Sequence, residues 1–266
     1  MAIYTIMTLP KITNKQQETI KLTYQFRFIN RIQIQKLLNH KDKKTINLWL
    51  KDLTQKDYLK RIYDGETFGK NTIPAIYYLS LNGINFLKAQ EGFDKKLLQK
   101  IYQEKNRSEA FIADCQFLAD MCLNLKNQSK NGVSYDFVTT SDYISPDSPY
   151  NFLCELTTQL IFTKQKKTTK TYHLLEILNT TLPKYQILKR VKDYISFLLN
   201  YEWMEHFKSA PRILFICQTK ELLISTKRMT KRLLADEDLE DIHISFALED
   251  EVRKQGVTTD IWEEAE

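Results

Sequence analysis

Helix-period and strand-period segments alternate along these 266 residues in an order that predicts an α+β fold of two domains. Three observations carry that reading. Apolar residues recur at helical spacing through the first third; two strand-like runs around a polar loop follow; and after a charged stretch both periodicities start again. With 42% hydrophobic and 12% aromatic residues, the chain can bury a core in each part. It contains no apolar run of about 18 residues. The opening MAIYTIMTLPKITNK lacks a basic start, a long apolar centre and a small-residue cleavage site, so a cytoplasmic protein with no membrane partner is expected.

A short arm, residues 1–14, precedes the first domain, residues 15–90. Its first helix is expected over 15–28, with Ile20, Tyr24, Arg27 and Phe28 on one side. Asn30 can cap a second helix, in which Ile34, Leu37 and Leu38 recur at i, i+3 and i+4. A polar turn at 39–41 leads to Asp42, placed to cap a third helix over 42–56 with the apolar stripe Ile46, Trp49, Leu50 and Leu53. The outer face of that helix is Lys43, Lys44, Asn47 and Lys51. Residues 58–63 then read as a strand, 64–71 as a loop, 74–80 as the return strand and 81–90 as a closing helix. Three helices, a hairpin and a helix in this order make a winged helix-turn-helix. Its third helix would enter a major groove and its wing, with Lys60, Arg61 and Lys70, would touch phosphate. Asn47 could read an adenine edge, and the lysines would supply phosphate contacts.

Charge agrees with double-stranded DNA as the partner. Residues 11–105 hold 19 basic against 9 acidic side chains, residues 106–232 hold 18 against 12, and residues 233–266 hold 2 against 12. A basic face is often only a solvated face, and winged helices also serve as protein-interaction modules. The clustering of Lys44, Asn47 and Lys51 on one helix favours the nucleic-acid reading.

After a charged, partly helical connector, residues 91–105, a second domain over 106–248 is expected. Asn106 and Glu109 resemble a capping box before a helix with Phe111, Cys115, Leu118, Ala119 and Cys122 on its buried side. Val133, Tyr135 and Phe137 alternate as in a strand. Residues 159–164 and 171–178 form two more strands around the turn 166–170, and Pro183 opens a helix through Ile187, Val191, Tyr194 and Leu198. RILFIC, residues 212–217, reads as a strand buried on both faces; a basic helix over 220–234 and a strand near 242–248 follow.

Placed after a winged helix, this order resembles the replication-relaxation family of plasmids and other mobile elements. The stretches that carry the likeness are FRFINRIQIQKLL, YYLSLNGINFL, LLEIL, KRVKDYISFL and PRILFICQTKE, from Phe26 to about Arg232. The resemblance implies DNA binding through the winged helix, a role in replication or conjugative mobilisation, and a restriction-endonuclease-like second domain. Nucleases of that fold hold a divalent metal between strand carboxylates, with a lysine two residues beyond the second. Glu176 in LLEIL occupies the second-carboxylate position, and Asp147 and Glu155 are candidates for the first. Leu178 stands where the lysine belongs, and Lys184 and Lys189 are substitutes that the spacing does not motivate. The expected core is therefore catalytically degenerate, with no metal and no reaction of its own.

Other chemistry has less support. Cys115, Cys122, Cys154 and Cys217 lack close paired spacing, and three of them sit in apolar runs where a thiol behaves as a small hydrophobe, so neither a zinc site nor a disulfide framework is expected. His40, His173, His206 and His243 lie far apart, six glycines leave little material for a phosphate loop, and none of the 14 tyrosines sits beside a histidine cluster. No cofactor is expected. The acidic tail, residues 249–266, reads as a disordered end or as a segment whose Ile261 and Trp262 dock on a partner. Function is thus expected to be that of a DNA-binding accessory or regulator of plasmid replication or transfer. A replication or transfer protein could dock on the second domain or the tail, and the chain could pair as a homodimer. The rival readings are a transcriptional repressor with the same winged helix and a metal-dependent nuclease.

Overall fold

A computed structural model of the chain describes residues 9–64, 66, 72–236 and 242–265. The chain divides into two units, Met1–Ala119 and Asp120–Glu266.

In the first unit, α1 (Asn14–Phe26) starts at a capping box. Thr13 Oγ1 accepts from the Gln16 amide and Gln16 Oε1 accepts from the Thr13 amide. The helix stops at Arg27, whose φ of 64° breaks the α conformation. β1 (Ile29–Asn30) follows, and Asn30 with Gln33 forms a second capping box for α2 (Arg31–Leu37). α3 (Lys43–Gln55) is capped by Asp42, whose carboxylate accepts from the amides of Lys44 and Thr45. β2 (Leu59–Ile62) and β3 (Ile76–Leu79) form the hairpin, and the sheet order is β1-β3-β2, antiparallel throughout. The two-residue β1 exists through its pairing of Ile29 with Tyr77, a long-range contact that no local pattern announces.

α4 (Leu81–Lys88) packs close to the start of β2. A Cβ on Gly83 would run into the Tyr58 carbonyl, so this turn of helix requires glycine. Ile20, Phe28, Ile34, Ile46, Leu50, Leu53, Leu59 and Leu87 are fully buried and make the core of the unit. Within the charged connector, α5 (Lys95–Ile101) buries Leu97, Leu98 and Ile101. The Glu104 carboxylate beyond it is buried against the guanidinium of Arg27 and 3.4 Å from that of Arg107.

α6 (Glu109–Gln128) runs across the division between the units. Its start differs from the expected Asn106–Glu109 box: Asn106 sits in a 3-10 turn, and Ser108 Oγ accepts from the Phe111 amide. The second unit is built on a six-stranded sheet in the order β4-β5-β6-β7-β8-β9. β4 (Val133–Thr139), β5 (Leu160–Lys166) and β6 (Thr169–Leu178) are antiparallel; β7 (Arg212–Cys217) and β8 (Ile244–Leu248) run parallel to β6. α7 (Thr140–Tyr143) follows β4, α8 (Lys184–Leu199) crosses from β6 to β7, and α9 (Lys220–Asp236) follows β7. One sheet face carries Ile161, Leu174, Leu178, Ile213, Phe215, Ile244 and Phe246, packed with Ile187, Val191, Tyr194, Leu198 and Leu223. β7 is buried at every position except Arg212, as its continuous apolar run requires.

The acidic end is folded, which corrects its reading as a disordered end. α10 (Glu249–Gln255) is followed by Gly256 at φ 91°, where a side chain would also collide with Asn124. β9 (Glu263–Glu264) then pairs antiparallel with β8. Trp262 is half-buried and its Nε1 donates to the Val257 carbonyl.

Candidate nucleic-acid interface

The buried stripe of α3 fixes which side chains face out. Ile46, Leu50 and Leu53 are sealed in the core, and Trp49 is half-buried against His40, ring centroids 4.9 Å apart. At 3.6 residues per turn, Lys44, Leu48, Lys51 and Gln55 then fall within a stripe roughly 60° wide, flanked by Asn47 and Lys43. All six are exposed. Among the described residues no carboxylate forms an ion pair with Lys43, Lys44 or Lys51. The structure therefore brings four of the expected contact residues onto one face.

Leu48 is the member of this face that sequence reading passed over. It is 65% exposed in the middle of the lysines, although leucine is a core residue by habit. Its position two residues before Leu50, off the i, i+3, i+4 stripe, is the signal that finds it. Asp42 also bears on the face. The Thr45 hydroxyl and the Lys44 and Thr45 amides hold its carboxyl below the usual range, so a fixed negative charge sits at the N-terminus of α3.

The wing is more mixed. Lys60 pairs with Asp57 at 2.6 Å, an exposed bond that raises its pKa and engages a cation expected to be free for phosphate. Arg61 lies over the Tyr63 ring at 5.2 Å and is exposed. Lys70, the third wing candidate, lies outside the described residues.

The nuclease-like positions are placed differently from one another. Asp147 and Glu155 are exposed, in a turn and at the end of a 3-10 segment. Glu176 is fully buried on β6. Its Oε2 accepts from the Thr157 hydroxyl at 2.6 Å and its Oε1 from the Arg190 guanidinium. Burial raises the Glu176 carboxyl and Arg190, with Thr157 and Tyr194, partly offsets this. Leu178, two residues on and therefore on the same sheet face, is fully buried in the core. A lysine there would carry its charge into the apolar cluster, so the sheet itself excludes the third residue of the metal-site pattern at this position. The cation beside Glu176 is Arg190 rather than Lys184 or Lys189. Lys184 is exposed, and Lys189 is exposed and pairs with Asp193 at 2.7 Å. Arg190 was findable, because it shares the inward face of α8 with Ile187, Val191 and Tyr194.

Burial pushes the Cys115 thiol up to about 12 and the Cys122 thiol well above its ordinary value, so both act as small apolar side chains. No helix among the described residues is long and apolar enough to cross a membrane.

The helix order, the three-stranded sheet and the hairpin define the first unit as a winged helix-turn-helix, and the whole chain as an α+β protein. No family model matches the chain, and no curated protein does. Solved structures similar to part of it include two DNA complexes. FabT of Streptococcus pneumoniae, in complex with DNA, is 22% identical over 39% of this chain and 68% of that one, with a TM-score of 0.27. A cysteine-to-serine mutant of MarR from E. coli, complexed with operator DNA, is 18% identical over 42% and 76%, with a TM-score of 0.25.

Proposed function

We propose that the first unit binds double-stranded DNA with α3 in the major groove. The observation that carries this reading is the outer face of α3, where exposed Lys43, Lys44 and Lys51 surround Asn47 and Leu48 and their side chains form no ion pair among the described residues. Lysines supply the sequence-independent phosphate attraction. Asn47 has the paired donor and acceptor that match an adenine edge, and Leu48 offers an apolar surface to a thymine methyl group. Arg61 adds a cation from the wing.

In this reading the chain is a cytoplasmic accessory or regulatory protein with no reaction of its own, acting in replication or transfer of a mobile element. The resemblance to the replication-relaxation family supports that placement, as does the order helix, three antiparallel strands, helix, parallel strand in the second unit. The Arg190 bond to Glu176 and the burial of Leu178 favour a degenerate endonuclease-like core over an active one. Footprinting of genomic fragments retained by the full chain tests the assignment. Protected sites beside an origin of replication or transfer are expected, whereas sites confined to promoters would make the protein a repressor. Replacing Lys44, Asn47 and Lys51 together by alanine is expected to abolish protection, and unchanged footprints would remove α3 from the interface.

A further inference from the structure

The face of the second sheet opposite the Glu176 pair carries a cavity of about 330 Å³ that the DNA reading does not use. Strand register builds it. Phe162, His173 and Arg212 stand in one row across β5, β6 and β7, and Leu214, Ser245 and Glu264 stand in a second row across β7, β8 and β9. Lys164, two residues beyond Phe162 on β5, faces the same side, and the segment after α10 closes the cavity with Asp260. That segment is fixed in place: Thr259 Oγ1 donates to the Gly256 carbonyl at 2.8 Å, and Trp262 Nε1 donates to the Val257 carbonyl at 3.1 Å.

The charges of the lining are segregated. Lys164 and Arg212 lie towards β5 and the start of β7, whereas Asp260 and Glu264 belong to the C-terminal segment. Arg212 and Glu264 are two strands apart, roughly 10 Å in the hydrogen-bonding direction. Among the described residues none of these four side chains forms an ion pair, although Lys227 and Glu263 close one nearby at 2.9 Å. The buried Nδ1 of His173 also has no hydrogen-bond partner among the described residues, and its ring lies flat on Phe162 at 4.3 Å. A buried polar atom without a partner is costly, and in a cavity it marks where a ligand or water completes the set.

We propose that this cavity binds a small zwitterion of the free amino acid class, its carboxylate at Arg212 and Lys164 and its ammonium at Asp260 and Glu264. A guanidinium fork matches a carboxylate bidentately, and only a charge-separated molecule answers both pairs at once. A lone anion would leave the two carboxylates unanswered, and a lone amine the two cations. The volume lies at the small end of ligand cavities, in keeping with a metabolite of this size.

The test is thermal unfolding of the full chain with the protein amino acids added singly, alongside inorganic phosphate and AMP as anions and putrescine as a cation. At least one amino acid is expected to raise Tm by about 5 °C at a hundredfold excess over its Kd. Calorimetric titration with that compound should show affinity falling roughly tenfold or more in Arg212→Ala and in Asp260→Asn. Both positions are exposed, so both variants should keep the unliganded Tm of the parent. Stabilisation by phosphate, AMP or putrescine alone, stabilisation by none of the probes, or affinity unchanged in both variants would overturn the proposal.

Discussion

Arg190 and Glu176 form a buried pair, and removing one partner leaves the other charge without compensation. Arg190→Ala is expected to cost about 3–5 kcal/mol in urea unfolding, whereas the paired change Arg190→Met with Glu176→Leu should be near neutral or stabilising. Equal losses in the two variants would show that the pair itself stabilises the fold. His173 has a different signature. Burial first, then the charges of Arg212 and Lys164, push its pKa down from 6.5 to about 4. Between those values the unfolded chain takes up a proton that the folded chain refuses, so stability is fully present above about pH 6.5 and declines as pH falls towards 4. The contribution is on the order of 3 kcal/mol. His173→Gln should reduce the difference in unfolding free energy between pH 7 and pH 4.5, and an unchanged difference would place the ring in contact with solvent. The inward face of α8 pointed to Arg190, but its pairing with Glu176 was not legible in the sequence, because the two meet only when α8 folds back over the sheet.

At the scale of elements, the sequence was readable wherever one helix or strand had to bury a periodic stripe. The stripe Ile46, Trp49, Leu50 and Leu53 gives α3 its place and Asp42 gives its start. An element held by a distant partner was not readable: β1 is two residues paired with β3. Asp42 links stability to binding. Asp42→Ala removes the cap and should cost about 1 kcal/mol. Asp42→Asn keeps the cap and removes a negative charge from the N-terminal end of α3, which the proposal places against DNA. It should leave Tm near that of the parent and tighten DNA binding at low salt, with the gain shrinking as salt screens it. Weaker binding by Asp42→Asn would mean that the carboxylate itself orders the interface.

At the scale of the whole molecule, composition and the restart of periodicity pointed to two parts and to the order of elements in the second, whereas its strand order and directions were not read from the sequence. The C-terminal residues were misread because their acidic composition hides a short strand whose pairing with β8 is not local. Ending the chain after Gln255 would strip β9 from the edge of β8 and expose its backbone, so a lower Tm and loss of solubility are expected. An unaffected Tm would return the segment to the status of a tail. DNA binding by the outer face of α3 is tested most directly by the salt dependence of affinity, measured by fluorescence anisotropy on a labelled duplex for the parent and for Lys44→Ala with Lys51→Ala. Loss of two phosphate contacts should lower the slope of log Kd against log salt concentration by about 2. Coincident slopes at equal affinity would contradict the placement of α3 in the groove.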